Sequence, residues 1–245
     1  MSSRLPLISC ICITKNSTIL LHRAVQCFLA QSYPNKELLL VFESDNEATA
    51  LHCRSAKYPS SVRVLMTIPG EPLGSLRNYA INQSNGKLFC QWDDDDWYHV
   101  KRLELQFNAI EASHTKACVI NRWVLFDSVR GNAFISGRRL WEGSLLCYKE
   151  MMSQVQYPSL RQGEDTAFVY FLAANKLLYI MENVPYLYIY TFHGNNTFGA
   201  AHFSELFEDG LTLASETNRE IADILAPGSA VEAGSKRLTE LLSQT

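Results

Sequence analysis

Leu88-Phe89-Cys90-Gln91-Trp92-Asp93-Asp94-Asp95-Asp96-Trp97 is a short apolar run that ends abruptly in four carboxylates held between two tryptophans. Residues 88–92 read as a buried strand. Adjacent carboxylates repel, and each raises its neighbours' pKa values unless something neutralises them. A hard divalent cation does so, with oxygen atoms as its ligands. The flanking tryptophans argue against a solvated acidic tail, because side chains of that size are mostly buried. The plain alternative is a charged surface turn that also caps the next helix. Position at the end of a strand, ahead of a helix, weighs toward metal binding.

Working outward, the same strand-then-helix rhythm fills the first half. Residues 7–14, 36–42 and 62–68 read as three earlier strands, and 18–31, 47–57 and 75–84 as the helices between them. The first helix shows Leu20, Leu21, Ala24, Val25, Phe28 and Leu29 at helical spacing, with Ser17 or Thr18 as its cap. Another helix is expected over 99–112. Repeated βα units predict an α/β fold with a mostly parallel central sheet and helices on both faces. Ligands in such sheets bind beyond the carboxyl ends of the strands. The second half is more mixed. Strands are expected at 117–126, 145–148, 176–181 and 186–192, with a turn at Arg130-Gly131-Asn132 and a helix over 164–174. The last stretch reads as helical, interrupted at Pro227-Gly228.

Bulk composition narrows the function classes. With 245 residues, 47% of them hydrophobic, the chain can bury a full core. A formal net charge of -3 argues against a nucleic-acid partner. The seven cysteines lie mostly in apolar runs such as Ser9-Cys10-Ile11-Cys12-Ile13, so buried reduced thiols are expected rather than a disulfide framework. No Cys-x-x-Cys pair suggests a zinc cluster. No leader-like segment and no apolar stretch of about 20 residues is seen, so a cytoplasmic protein is expected, with docking at the inner face of a membrane left open.

Four other motifs carry candidate chemistry. Gly74-Ser75-Leu76-Arg77-Asn78 opens a helix, where an anion is favoured and Arg77 can pair with a phosphate or a carboxylate. Many ordinary helices start this way. Glu43-Ser44-Asp45 ends the second strand, where a carboxylate can accept from a nucleobase or a ribose hydroxyl, or simply form a polar turn. Gly163-Glu164-Asp165 is either an acidic first turn that complements the helix dipole or the source of a general base. His193-Gly194-Asn195-Asn196 follows an aromatic strand, and His193 is a candidate metal ligand or a structural histidine. Trp123, Trp141, Tyr157 and Phe198 could offer stacking faces to a ligand, although core packing is the commoner role.

In order and spacing these pieces resemble the family 2 glycosyltransferases of the GT-A fold over residues 6–198. The resemblance rests on Ile11-Cys12-Ile13-Thr14-Lys15-Asn16, on Ala30-Gln31-Ser32-Tyr33-Pro34-Asn35-Lys36-Glu37, on residues 73–86, and on the Asp run with Leu103 and Gln106. It continues through Gly163-Glu164-Asp165 and His193-Gly194-Asn195-Asn196-Thr197. Phe42-Glu43-Ser44-Asp45 departs from the family's Asp-Asp-Gly-Ser, and the Gln-x-x-Arg-Trp segment of processive members is absent.

The resemblance implies one GT-A domain over 1–205, divided near 112 into nucleotide-binding and acceptor-binding halves, with a helical extension over 206–245. It implies transfer from a nucleotide-sugar, most often a UDP-sugar, to a glycan or glycolipid hydroxyl, with inversion and by single addition. Asp93, Asp95 and Asp96, with His193, would hold Mg2+ or Mn2+. Thr14, Asn16, Glu43, Arg77, Asp93 and Asp94 would contact the donor. Asp165 would be the base, with Glu164 as the alternate. A nucleotidyltransferase is the rival enzyme, but it would usually carry a Gly-rich, Lys-containing loop where Thr14-Lys15-Asn16-Ser17 stands. A sugar-nucleotide binding protein without catalysis, or an interaction module on the same scaffold, would not need Glu164-Asp165.

Overall fold

The computed structural model describes residues 5–15 and 18–243. Its first half is a run of β1 (Ile8–Ile13), α1 (Thr18–Leu29), β2 (Lys36–Glu43), α2 (Glu47–Ser55), β3 (Val62–Thr67), α3 (Leu73–Gln83) and β4 (Leu88–Gln91). β1, β2 and β4 are apolar along nearly their whole length because both their faces are covered. β3 alternates buried and exposed positions, as suits a strand at the sheet edge. These four strands are parallel, with Ile11 opposite both Leu39 and Gln91.

The chain continues through β5 (Trp97–Tyr98), α4 (Arg102–Ser113), β6 (Ala117–Ile120), β7 (Val124–Asp127), β8 (Asn132–Ile135) and β9 (Trp141–Tyr148). It ends with α5 (Glu164–Ala174), β10 (Leu178–Met181), β11 (Tyr188–Phe192), α6 (Ala200–Glu208), β12 (Leu211–Thr212), α7 (Ser215–Leu225) and α8 (Val231–Leu242). The main sheet has seven strands in the order β10-β6-β9-β4-β1-β2-β3. β9 runs antiparallel to its neighbours β4 and β6. A second, five-stranded sheet has the order β12-β8-β7-β11-β5. The expected α/β architecture, a mostly parallel sheet with helices around it, is what the chain adopts.

The structure departs from expectation at several points. The strand expected over 117–126 is two strands in different sheets. β6 ends at Ile120, Asn121 turns the chain by donating its backbone N–H to Met181, and β7 starts at Val124. Both pieces are fully buried, so hydrophobicity carried no mark of the break. The expected boundary between 205 and 206 falls inside α6. Beyond it, β12 joins the second sheet, Asn218 Oδ1 accepts the Ala133 N–H, and Ser235 Oγ accepts the Val100 N–H. Ile221 and Leu238 lie in the same apolar cluster as the residues of β1 and β2. All seven cysteines are buried and free. Among the described residues no helix is long and apolar enough to cross a membrane.

Candidate active site

The acidic loop is anchored at both ends. Trp92 and Trp97 are fully buried, and the Trp92 indole donates to the Ala24 carbonyl. Burying a large apolar side chain stabilises by about 1.5–3 kcal/mol. The backbone is pinned as well: Tyr98 Oη donates to the Asp93 carbonyl (3.0 Å) and Arg23 Nη2 to the Asp95 carbonyl (2.6 Å).

Each carboxylate has a different environment. Asp93, 29% exposed, receives Arg77 Nη2 at 3.1 Å. Desolvation in the cleft and nearby Asp95 push it above the ordinary carboxylate value, against the pull of Arg77. Asp94 accepts from Thr14 Oγ1 at 2.5 Å. Burial first, then Asp95, raises Asp94 to about 7. Asp95 Oδ2 is held by His193 Nε2 and Asn196 Nδ2, both at 3.1 Å. Asp96 does not fit the expectation of a third ligand. It is fully buried, its Oδ2 accepts from Tyr188 Oη and its Oδ1 from the Thr191 N–H. Burial, with Asp95 and Asp93 adding to it, lifts Asp96 well above its ordinary value. It ties the loop to β11 and points away from the cleft. His193 orients Asp95 rather than standing free.

The opposite wall is made by the starts of α3 and α5. Gly74 permits their close approach: a Cβ there would lie 1.9 Å from the Pro158 carbonyl oxygen. Arg77, only 5% exposed, bridges Asp93 and Glu164, with its Nε 2.7 Å from Glu164 Oε1. A buried guanidinium requires such partners, and its Nη1, in the wall of the smaller cavity, has none. Glu164 is buried in that pair. Asp165 is half-buried and accepts from Gln91 Nε2 at 3.2 Å. Burial, offset by Arg77 and reinforced by Glu164 and Glu142, raises Asp165 to about 6.

Two adjoining cavities meet at the acidic loop. The smaller, about 180 Å³, is lined by Arg77, Asp93, Asp94 and Asp95 on one side and by Trp141, Glu142, Asp165 and Tyr190 on the other. The larger, about 800 Å³, is lined by Thr14, Lys15, Glu43, Asp94, Asp95 and His193. Strand ends from distant parts of the chain thus share one cleft. Glu43 accepts from the Gly70 N–H and stands 3.6 Å from Lys15 Nζ. Asn16 lies outside the described residues. Of the candidate stacking rings, Trp141 and Phe198 line the smaller cavity, whereas Trp123 and Tyr157 are core residues.

The oxygen-rich, charge-crowded set of Asp93 and Asp95 suits a hard divalent cation. Among the described residues no three His, Cys, Asp or Glu side chains form a closed site on their own. Two carboxylates leave open positions, the pattern of a cation shared with phosphate oxygens. Three supporting residues were missed from sequence. Gln91 accepts from Tyr157 Oη while holding Asp165, and only its place two residues before the acidic run marks it. Arg102 lies fully buried against the rings of Trp92, Tyr98 and Tyr188. Glu142 belongs to no motif.

Comparison with known proteins agrees with this arrangement. The family model described as glycosyl transferase family 2 matches residues 9–176. A Rickettsia bellii protein described as an uncharacterized glycosyltransferase is 28% identical over 120 residues, 49% of this chain but only 17% of that protein. In fold, the chain is similar to Staphylococcus aureus TarS 1-349, solved in complex with UDP. That match has a TM-score of 0.63 and 16% identity, and covers 97% of this chain and 71% of that one. The same TarS segment solved with UDP-GlcNAc also matches with a TM-score of 0.63 and 16% identity, covering 96% and 71%. The parallel sheet, the cleft at its strand ends and a family model covering more than half the chain lead to one conclusion: the chain belongs to glycosyl transferase family 2.

Proposed function

We propose that the protein transfers a sugar from a UDP-sugar to a hydroxyl of a glycan or glycolipid acceptor, by single addition with inversion. One observation carries this reading. The acidic pair Asp93 and Asp95 and the carboxylate of Asp165 line the same 180 Å³ cavity, beside an 800 Å³ cavity of the size range that takes small ligands. The TarS complexes with UDP and UDP-GlcNAc support the choice of uridine nucleotide.

The nucleoside diphosphate occupies the larger cavity, where Glu43 offers an acceptor to the base or ribose. Asp93 and Asp95 would hold Mg2+ or Mn2+, which as a Lewis acid would stabilise charge developing on the leaving diphosphate. Asp165 is mostly ionised at neutral pH with a pKa of about 6, close to the value that suits a general base. It removes the proton from the acceptor hydroxyl, and Gln91 holds its Oδ2 in place. Glu164, engaged with Arg77, positions the wall rather than moving a proton. Base and leaving group on opposite sides of the anomeric carbon give one displacement and inversion. A glycolipid acceptor would bring the protein to the inner face of a membrane.

The test is a donor screen with UDP-, GDP- and dTDP-sugars, with Mn2+, Mg2+ or chelator. Metal-dependent hydrolysis or transfer from a UDP-sugar is expected. Failure of every nucleotide-sugar to bind would sink the proposal.

A further inference from the structure

Unpartnered polar groups stand on both sides of the small cavity, Arg77 Nη1 on one and the Trp141 indole on the other. On the β9 side, Trp141 Nε1 is buried without a hydrogen-bond partner. Glu142 and Tyr190, 7% and 8% exposed as whole residues, line the same cavity as Trp141 and make no side-chain hydrogen bond to a described residue. Buried polar groups are nearly always paired, and each exception calls for an explanation.

The backbone explains how neighbouring residues reach one space. Side chains alternate across a regular strand, yet Trp141, Glu142 and Gly143 all line the cavity. The pairing of β6 with β9 shifts register between Cys118 and Ile120, opposite the start of β9. Ser144 Oγ spans the irregularity, accepting the Ile120 N–H and donating to the Trp141 carbonyl. Such bulges re-aim side chains beside active sites. The indole is then locked. It stacks on Trp123 with centroids 4.5 Å apart and leans on Tyr190 at 4.6 Å. A Cβ on Gly143 would stand 3.1 Å from the indole ring, so glycine gives the ring its room.

We infer that Trp141, Glu142 and Tyr190 form a hydroxyl-recognising subsite for a sugar ring of the acceptor. The chemistry matches a polyol: an indole N–H donates to a hydroxyl oxygen, a carboxylate accepts from hydroxyl protons, and a phenol does either. Aromatic rings in the wall suit the apolar face of a pyranose. Glu142 and Asp165 line the same cavity, so a ring held by Glu142 lies beside the group assigned to deprotonate it. This subsite rests on the glycosyltransferase reading for its assignment to the acceptor, and its specificity would come from which hydroxyls meet Glu142.

The test uses UDP with Mn2+ as the donor-side probe, and p-nitrophenyl glucoside, galactoside and N-acetylglucosaminide as acceptor probes. Binding is followed by calorimetry and saturation-transfer NMR. Glu142→Gln keeps the shape and removes the charge, and Trp141→Phe keeps a ring and removes the N–H. At least one glycoside should bind the wild type, and each variant should weaken it tenfold or more while UDP affinity stays within twofold. Retained UDP affinity also reports that the variants fold. The inference is overturned if no glycoside binds the wild type, if both variants bind glycoside as the wild type does, or if the variants weaken UDP-sugar but not glycoside. Absence of UDP binding in the wild type would instead defeat the donor reading and leave the glycoside result to stand alone.

Discussion

The cleft has two unlike walls. On the side that carries the acidic loop and the starts of α3 and α5, most polar groups already have a protein partner, Arg77 Nη1 excepted: Thr14 with Asp94, Glu43 with the Gly70 N–H, Arg77 with Asp93, and Asp95 with His193 and Asn196. On the wall built by β9 and β11, Trp141 Nε1 is buried without one, and Glu142 and Tyr190 line the cavity with no side-chain hydrogen bond to a described residue. The first wall is preorganised, so a donor and cation would meet groups already in place, with little ordering left to do. The second leaves groups open to hydrogen bonds from a ligand. A buried polar site rejects a molecule lacking the matching group far more strongly than an apolar one does. Under the proposed function, this contrast would assign donor binding to one wall and acceptor choice to the other.

The sharpest attack on this division is at Asp165, the carboxylate between the walls. Asp165→Asn should lower kcat by about 10²–10⁴, the usual worth of a general base, with donor Kd nearly unchanged. Single-turnover rates and donor titrations would measure both. Near-normal kcat in Asp165→Asn, with a large loss in Glu164→Gln, would move the base to Glu164.

Asp95→Ala strikes the preorganised wall. It should cost about 10²–10³ in kcat, the scale for losing one electrostatic stabiliser, and should also weaken metal-dependent UDP binding. The combined loss separates it from Asp165→Asn. If Asp95→Ala binds UDP and Mn2+ as tightly as the wild type, the metal assignment fails.

Asp96, one residue away, should behave in the opposite sense. Asp96→Ala leaves the Tyr188 hydroxyl and the Thr191 N–H without their acceptor, which should cost roughly 1–3 kcal/mol of folding stability. Urea unfolding would read this directly. A variant as stable as the wild type but unable to bind cation would return Asp96 to the ligand set.

The smallest effect is in pH. The raised pKa of Asp165 means that the base is lost as pH falls through about 6. The rate should then drop about tenfold per pH unit below that point, and the residual rate of Asp165→Asn should lack this limb. A flat wild-type profile between pH 5 and 7 would count against Asp165 as the proton acceptor.

Much of the donor wall was legible in the sequence. The βα rhythm depends on local periodicity and on turn residues between apolar runs, both visible in one dimension. Once a parallel sheet was inferred, the segments after its strands had to share one edge, which brought Glu43 and Asp93 to one cleft. The start of α5 at Glu164 was equally plain, because an acidic first turn follows a glycine.

Tertiary contacts alone decided the rest. Which of four adjacent aspartates faces the cleft depends on β11, which offers Tyr188 and the Thr191 N–H to Asp96 and so turns it inward. Arg77 could have met a phosphate or a carboxylate, and only the packing of α3 on α5 chose Glu164. Residues 117–126 read as one strand because the segments on either side of Asn121 and Arg122 are apolar and buried, and only that polar pair marks the change of sheet. The start of β9 was missed because Glu142 and Gly143 break a strand's apolar pattern. Their polarity and small size serve the cavity, and a register shift against β6 aims them there. Local sequence encodes periodicity and turn chemistry. The direction in which a buried carboxylate points is set by donors distant along the chain, and folding alone brings those donors to it.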